Sequence, residues 1–310
     1  MAVDYEKHEL NKMMINIAVW TDVDLDGAAS YLVLKWMLLN KCDCKVNLNT
    51  CSPSKLRVEY LKWLQNNKND DFDKIIMMDL DTSVISDLID CNNVTIFDHH
   101  ESHFEAAKKY KHATAHVRTC DSTAQLVYET LKLKCPNELS DAQMSLILHV
   151  SDYDSYKLAF KQTKKLNCLY WTFNGNRVET FAKDFSSGFN GFTQMQENAI
   201  ALYNKKLKEV IENLQVFCGQ LNNWKVASTF CETAHNDVAE HVLNSTGVDI
   251  VMLVNPKQQT VSFRKNNACT ADLSKIAEKL CSGGGHESAA GGKLTESFLL
   301  FAKTLTPCNA

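Results

Sequence analysis

The sequence lacks several features that would place it in a specialised class of protein. None of its 12 cysteines falls in a CxxC pair, so a structural zinc site built on such pairs is not expected. Its longest apolar runs are about ten residues, whereas a helix that spans a bilayer needs roughly 20. No internal repeat and no low-complexity tract is visible. These absences predict a globular protein that does not enter the membrane.

A strong charge of one sign is also missing. The chain has 33 Lys and Arg against 37 Asp and Glu, which gives a formal net charge of −4. Without a general basic field, a large surface for duplex nucleic acid is not indicated, although a local basic groove is compatible with these numbers. A small anionic substrate would have to be bound by local cations, helix N-termini or metals.

Length and composition set the scale of the fold. A chain of 310 residues with 45% hydrophobic and 23% charged residues is typical of a globular protein of about two domains. The N-terminal residues do not resemble a signal peptide, which predicts a cytoplasmic protein whose cysteines are reduced thiols. The lone CxC formed by Cys42 and Cys44 is interpreted as two small side chains rather than a ligand pair.

The first part of the chain alternates strand patterns with helical patterns. The order β-α-β-α-β-α-β is typical of a doubly wound, mostly parallel α/β sheet. The predicted strands lie at residues 16–21, 45–50, 73–81 and 93–100, and the predicted helices between them lie at 28–40, 52–67 and 83–91.

The second part predicts a smaller α/β domain, joined to the first by a linker helix. Residues 181–193 are irregular and carry Gly and Ser, and a long helical pattern follows at 194–215. We therefore predict a catalytic domain over residues 1–185, a linker with an interdomain helix over 186–215, and a C-terminal substrate-binding domain over 216–310.

Acidic and imidazole side chains collect where the predicted strands end. Ligands of open parallel sheets bind outside the carboxyl ends of the strands, so three such strand ends favour a functional site over solvated loops. The residues are Asp22, Asp24 and Asp26 after the first strand, Asp79 and Asp81 at the end of the third, and Asp98, His99 and His100 at the end of the fourth.

So many carboxylates at one sheet edge repel one another unless cations lie among them. Oxygen donors with some imidazole suit Mn²⁺ or Mg²⁺ better than ions that prefer thiolates. The carboxylates outnumber the needs of one ion. Two ions roughly 3.5–4 Å apart, as in enzymes of in-line phosphoryl displacement, are the expected arrangement.

A glycine run near the C-terminus suggests a second functional element. Gly283, Gly284 and Gly285 precede His286 and follow a predicted helix. Backbone without Cβ atoms can approach a ligand closely and turn its N–H groups towards an anion. We interpret this loop as an anion or nucleotide contact, with a flexible linker as the alternative.

Five segments in this order resemble the successive motifs of the DHH phosphoesterase superfamily. The resemblance covers nearly the whole chain, and its last motif belongs to the glycine-rich C-terminal substrate-binding domain of that superfamily. The first motif is closer to the RecJ exonuclease version, whereas the overall length is closer to the two-domain nanoRNases. The upstream His of the nanoRNase motif is absent. The segments are DVDLDGAAS, MMDLD, FDHH, SDYDSY and GGGHESAAGG.

The resemblance implies a role for each candidate residue. Asp79 would bridge the two ions, with Asp81 as the alternative, and Asp22 would stand in for the missing His. Asp98 would orient the site and His100 would contact the scissile phosphate. The implied metal ligands are Asp22, Asp24, Asp26, Asp79, His99 and Asp152, and the implied substrate-binding residues are Arg264, Gly283, Gly284, Gly285 and His286.

Other residues have weaker roles in this interpretation. Asp154 would support the metal ligands without binding an ion itself, and Arg118 would contact a phosphate or form a structural ion pair. Four histidines are expected on the surface or in the core: His103, His112, His116 and His149.

The resemblance implies a Mn²⁺-dependent phosphodiesterase, with Mg²⁺ as the alternative ion, that hydrolyses short oligonucleotides or dinucleotides to mononucleotides. The alternatives are a RecJ-like single-strand exonuclease, a cyclic-dinucleotide phosphodiesterase and a nucleotide sensor with an inactive site. Long single strands need an electrostatic track, and no basic stripe is visible. The sequence leaves open RNA versus DNA, cleavage polarity and whether the chain forms a dimer.

Overall fold

The structure, a computed structural model, describes residues 14–134, 138–285 and 287–308. The chain divides into two compact units between Glu197 and Asn198. The first unit contains a five-stranded sheet in which all strands are parallel, and the second contains a seven-stranded mixed sheet. The predicted fold class is confirmed.

The first sheet has the strand order β2-β1-β3-β4-β5. After β2 the chain returns past β1 to form β3 on its other side, so the strand order reverses between β1 and β3. This switch point is where open α/β sheets bind their ligands. The strands are β1 (Ile15–Thr21), β2 (Cys44–Thr50), β3 (Lys74–Met78), β4 (Val94–Asp98) and β5 (Thr114–Val117).

Helix α1 is the central helix of the first unit. All but one of its 13 residues are buried, because it packs against α5, α6 and α8 as well as the sheet. The helices between residues 25 and 212 are α1 (Leu25–Met37), α2 (Leu56–Leu64), α3 (Ser86–Ile89), α4 (Phe104–Ala107), α5 (Thr123–Lys134), α6 (Asp141–Asp154), α7 (Thr163–Thr172), α8 (Arg177–Asp184) and α9 (Gln194–Glu212).

The structure differs from the sequence-based prediction at several elements. Strand β5 was not predicted, because its four residues are partly exposed and lack a continuous apolar run. Helix α8 continues to Asp184 and buries Phe181, so the irregular segment begins later than residue 181. The division between the two units falls within α9, whose first residue is Gln194, and so inside the predicted linker segment 186–215.

The second unit contains the mixed sheet. Its order is β10-β11-β9-β8-β7-β6-β12, and only β7 and β8 are parallel, joined by a crossover through α10. None of the described helices of the chain combines the length and apolarity needed to cross a membrane. The elements are β6 (Val216–Leu221), β7 (Trp224–Phe230), α10 (His235–Thr246), β8 (Ile250–Asn255), β9 (Thr260–Lys265), α11 (Leu273–Cys281), β10 (Gly284–Gly285), β11 (Ala289–Lys293), α12 (Glu296–Ala302) and β12 (Thr306–Cys308).

One cysteine pair departs from the expectation that all thiols are reduced. Cys218 on β6 and Cys308 on β12 form a disulfide. The two strands are antiparallel neighbours, which brings the Cα atoms to 5.8 Å, within the usual range for a disulfide. The 90-residue separation hid this pairing from sequence inspection. Nine other cysteines in the described ranges are free.

Candidate metal centre

The register of the first sheet aligns three strand ends. Thr21 at the end of β1 pairs with Met78, and Met78 pairs with Phe97 on β4. The residues that follow are therefore brought to one edge, as the alternation of strands and helices predicts. Asp22 follows the first of these strands and Asp79 the second.

Seven side chains at this edge form three overlapping groups of metal-ligand atoms. Within each group the ligand atoms lie within 4.8 Å of one another. Asp79 and His99 each belong to two groups, so the groups form one continuous cluster. The groups are Asp22, Asp24 and Asp79; Asp79, His99 and His100; and Asp26, His99 and Asp154.

The turn after β1 holds the first acids in place. Asp24 caps α1 by accepting a hydrogen bond from Gly27 N at 2.9 Å, and Thr21 Oγ1 donates to Gly27 O at 2.8 Å. A Cβ on Gly27 would lie 2.5 Å from the carbonyl oxygen of Asp22, so only glycine fits at this position. Burial and the neighbouring acids raise the pKa of both Asp22 and Asp24.

Asp26 connects the cluster to the start of α5. Its buried carboxylate accepts hydrogen bonds from Thr123 N at 2.6 Å and Ala124 N at 3.0 Å, where the helix dipole favours negative charge. Burial, followed by Asp154, raises the pKa of Asp26 to about 6, while His99 and the two backbone N–H groups oppose that shift.

Asp79 occupies the centre of the cluster in a left-handed backbone conformation, with φ of +58°. Asp and Asn tolerate this region better than other residues with a side chain. The backbone N–H of Asp79 donates to Phe97 O at 2.9 Å, and its carboxylate accepts from Thr123 Oγ1 at 3.0 Å. Burial, followed by repulsion from Asp26 and Asp24, raises the pKa of Asp79 well above its ordinary value.

His99 directs one ring nitrogen at the acids. Its Nδ1 lies 3.1 Å from Cys120 O and donates to it, which leaves Nε2 facing the carboxylates. Nε2 lies 3.1 Å from Asp154, 3.8 Å from Asp79 and 3.9 Å from Asp26. Burial lowers the pKa of His99, but the hydrogen bond to Asp154 and the charge of Asp26 outweigh it and raise the value to about 10.

Asp98 is completely buried and is held between two imidazoles. Its oxygens lie 2.6 Å from His100 Nδ1 and 2.7 Å from His103 Nδ1. Burial opposes ionisation, but these hydrogen bonds outweigh it and hold the pKa of Asp98 well below its ordinary value. His103 Nε2 in turn lies 3.0 Å from Thr82 Oγ1. Asp98 thus fixes the orientation of His100, and His103 fixes that of Asp98.

Asp152 and Asp154 are placed differently from the expectation. The structure does not bring Asp152 into the cluster: its carboxylate accepts hydrogen bonds from Ala159 N at 2.8 Å, Phe160 N at 3.1 Å and Thr163 Oγ1 at 2.7 Å. Asp154, two residues later and near the end of α6, faces His99 instead. Residues two apart on a helix point in different directions, so only one of the pair reaches the site.

The remaining candidates of the first unit lie outside the three groups. Asp81 accepts hydrogen bonds from Ser83 N and Ser102 Oγ, both at 3.0 Å, and belongs to none of the three groups. Arg118 forms an ion pair with Glu129, which corresponds to the structural alternative for this residue.

The second unit contains the other predicted substrate contacts. Arg264 Nε donates to Asn236 Oδ1 at 3.0 Å. A Cβ on Gly283 would lie 2.0 Å from Gly291 O, whereas a Cβ on Gly284 would meet no atom within 4 Å. Gly285 has φ of +139°, a conformation that favours glycine. His286 lies outside the described residues.

Three residues that position the site escaped sequence analysis. Thr123 was not among the candidate residues, and His103 was expected only on the surface or in the core. Tyr170 donates a hydrogen bond from its hydroxyl to Val23 O at 2.6 Å and so fixes the turn between Asp22 and Asp24. Its separation of 147 residues from Val23 left no local signal.

The chemistry of these side chains fits a divalent cation with a preference for oxygen and imidazole. Four carboxyl groups, those of Asp22, Asp24, Asp26 and Asp79, have raised pKa values, with burial as the first cause and mutual repulsion adding to it. Bound cations relieve such repulsion. The donors suit Mn²⁺ or Mg²⁺, and no thiolate belongs to the groups.

Fold and site together define an α/β protein with a divalent-metal centre at the switch point of a parallel sheet. Residues 16–150 match the sequence profile of the DHH family, N-terminal domain. The match confirms the predicted resemblance to the DHH family over this part of the chain, which contains three of the five motifs, at residues 22–30, 77–81 and 97–100. No curated protein sequence matches the chain.

Solved structures with a related fold include two bacterial proteins. A RecJ protein from Thermus thermophilus, crystallised with Mn²⁺, is 16% identical with a TM-score of 0.51, covering 93% of this chain and 51% of that protein. An exopolyphosphatase-related protein from Bacteroides fragilis is 15% identical with a TM-score of 0.50, covering 94% and 91%. This chain thus spans about half of the Thermus protein, and at these identities the likeness concerns the fold alone.

Proposed function

We propose that the protein is a Mn²⁺-dependent phosphodiesterase that hydrolyses short oligonucleotides or dinucleotides to mononucleotides. The observation that carries the proposal is the convergence of five aspartates and two histidines on one edge of the parallel sheet. The match of residues 16–150 to the DHH family supports phosphoester hydrolysis, and the oxygen and imidazole donors support a divalent ion such as Mn²⁺.

The clustered side chains would hold two divalent ions, and Asp79, which like His99 belongs to two of the three groups, would contribute to both. Asp22 and Asp24 would serve one ion, and Asp26, His99 and Asp154 the other. Two bound divalent ions supply a nucleophile at neutral pH and neutralise charge on the phosphoryl oxygens.

The protein itself orients the two imidazole rings and holds a proton on a defined nitrogen of each. Asp98 fixes the proton of His100 on Nδ1, so Nε2 of His100 would be the nitrogen that contacts the phosphoryl group. Cys120 O fixes the proton of His99 on Nδ1 in the same way, so that Nε2 can serve as a ligand. Both rings are therefore held in a fixed orientation before substrate binds, which lowers the reorganisation that binding requires.

Removal of divalent metal is expected to abolish hydrolysis. The donors are oxygen and imidazole atoms whose crowding requires cations, so the protein in excess EDTA should show no turnover, and added Mn²⁺ should restore it. The assay uses labelled two- to five-mers, a 30-mer and cyclic dinucleotides. Full activity in excess chelator would contradict the metal-dependent mechanism.

The same substrate panel separates the alternatives. Preference for the two- to five-mers supports the proposed activity, whereas preference for the 30-mer supports a RecJ-like exonuclease. Cleavage of cyclic dinucleotides alone would support the third alternative. Binding of nucleotides without any turnover in Mn²⁺ would identify a sensor.

Gly284→Ala tests the proposed role of the glycine loop in binding substrate. A methyl group at this position meets no protein atom, so folding should be preserved and any effect should come from the ligand. We expect KM for two- and three-mers to rise about threefold to tenfold, a cost of roughly 1 kcal/mol, with Mn²⁺ affinity unchanged.

The matched control for this variant is Gly283→Ala. Its Cβ would overlap Gly291 O, so this change should lower the free energy of unfolding of the second unit. The paired measurement is steady-state kinetics beside thermal denaturation. A Gly284→Ala protein with wild-type KM at every substrate length would remove the loop from the proposed binding surface.

A further inference from the structure

Arg177, the first residue of α8, has no assigned role, and its contacts are unusual for an arginine. Its guanidinium carbon lies 4.9 Å from the ring centre of Trp171. Its Nε is buried and has no hydrogen-bond partner among the described residues. No carboxylate of the described residues forms an ion pair with the Arg177 guanidinium. An unpaired donor in a buried position is costly, which is consistent with a missing ligand.

The packing of α8 on α1 places Arg177 near the acid cluster. Trp36, close to the C-terminal end of α1, donates from Nε1 to Ser186 O at 2.7 Å, just beyond the end of α8. Nine residues separate Arg177 from Ser186. A helical span of that length is about 13 Å, and the same length along α1 leads from Trp36 back to about Gly27. The parallel direction follows from Phe181 in the middle of α8, whose ring centre lies 5.7 Å from that of Tyr170, because the Tyr170 hydroxyl contacts Val23 just before α1.

The contacts of Tyr170 support the same placement. Its ring centre lies 5.6 Å from that of Trp171, the residue against which Arg177 stacks. Its hydroxyl donates to Val23 O at 2.6 Å, within the turn that carries Asp22 and Asp24. Trp171 and Tyr170 therefore connect Arg177 to this turn.

We propose that Arg177 binds a phosphate oxygen of the substrate beside the metal cluster. The guanidinium is planar, always charged and able to make two parallel hydrogen bonds to an oxyanion, and stacking on an indole preorganises it. Trp171 braces one face of the group while its own ring remains 41% exposed. The proposal rests on the proposed function in that the site acts on phosphoryl compounds. The oxyanion belongs to a phosphodiester or to a polyphosphate, which share this chemistry.

The direct test is calorimetric titration of inorganic phosphate into the Mn²⁺-loaded protein. Arg177→Met keeps an apolar side chain against Trp171 and removes the charge, so phosphate affinity should fall at least about tenfold while Mn²⁺ affinity is unchanged. Arg57→Met is the matched control, because Arg57 is paired with Asp87 at 2.8 Å and lies outside the cluster. It should bind phosphate like the wild type.

Arg177→Lys keeps the charge without the planar guanidinium and should show an intermediate loss of phosphate affinity. This variant also provides the test if Arg177→Met does not fold. Wild-type phosphate affinity in both variants, or no phosphate binding by the wild-type protein, would overturn the proposal. Because this measurement needs no turnover, it is independent of the proposed activity. Absence of hydrolysis by the wild-type protein would refute only the latter.

The source of the oxyanion is distinguished by competition. Inhibition constants for a non-hydrolysable dinucleotide and for tripolyphosphate are compared between wild type and Arg177→Met. If Arg177→Met weakens inhibition by both compounds, Arg177 is a general phosphate contact. If it weakens inhibition by only one compound, the proposal is supported and that compound identifies the ligand class. Unchanged inhibition by both would overturn it.

Discussion

Asp79→Asn is expected to lower kcat by at least about 10³-fold, equivalent to roughly 4 kcal/mol of transition-state stabilisation. The change removes the carboxylate that belongs to two of the three ligand groups. Asn is chosen over Ala because residue 79 has a φ of +58°, a conformation that Asn tolerates and Ala does not. Loss of activity can then be attributed to the ligand rather than to backbone strain.

The metal-free Asp79→Asn protein should be at least as stable as the wild type. A folded-state pKa raised above the unfolded value means that the ionised carboxylate disfavours folding at neutral pH, and Asp79 shows such a shift through burial and neighbouring acids. Urea denaturation in EDTA measures this, beside kinetics in Mn²⁺.

Asp81→Asn is the matched control for this experiment. It lies two residues away, outside the three ligand groups, and should retain kcat within about threefold. Near-normal turnover of Asp79→Asn, or an equal loss in both variants, would show that Asp79 is not a metal ligand.

Asp154→Asn should weaken metal binding, whereas Asp152→Asn should lower stability. Asp154 faces His99 Nε2 at 3.1 Å, so its change should weaken Mn²⁺ binding and lower kcat/KM by about 10²-fold without loss of stability. Asp152 accepts hydrogen bonds from three donors in residues 159–163, so its change should lower the free energy of unfolding by about 1–3 kcal/mol and leave Mn²⁺ affinity unchanged.

The measurements are Mn²⁺ titration calorimetry and urea denaturation of the two variants side by side. A loss of Mn²⁺ affinity in Asp152→Asn but not in Asp154→Asn would return Asp152 to the ligand set implied by the sequence resemblance. The two variants can be compared directly because Asp152 and Asp154 lie on the same helix and differ mainly in the direction of their side chains.

Periodicity in the sequence was sufficient to predict the parallel sheet and the edge at which the acids collect. Strands with buried apolar residues on both faces, such as β3 and β4, are visible as short apolar runs that stop at acids. Strand β5 gave no such signal, because its residues are mostly half-exposed. Local pattern therefore predicted the centre of the sheet better than its margin.

Inside the site, the sequence placed residues by motif but not by side-chain direction. It favoured Asp152 over Asp154 because a motif does not state which of two nearby acids turns inward at a helix end. Tyr170 and His103 were missed because their contacts link distant segments, or depend on a buried network that has no sequence signature.

All the described metal-ligand atoms come from residues 22–154, within the first unit and before the chain reaches the second sheet. If the second unit selects the substrate, as we propose, then metal binding and substrate selection are encoded in separate stretches of the gene. Substitutions after Glu197 can alter the preferred substrate over evolutionary time without disturbing the groups that perform hydrolysis.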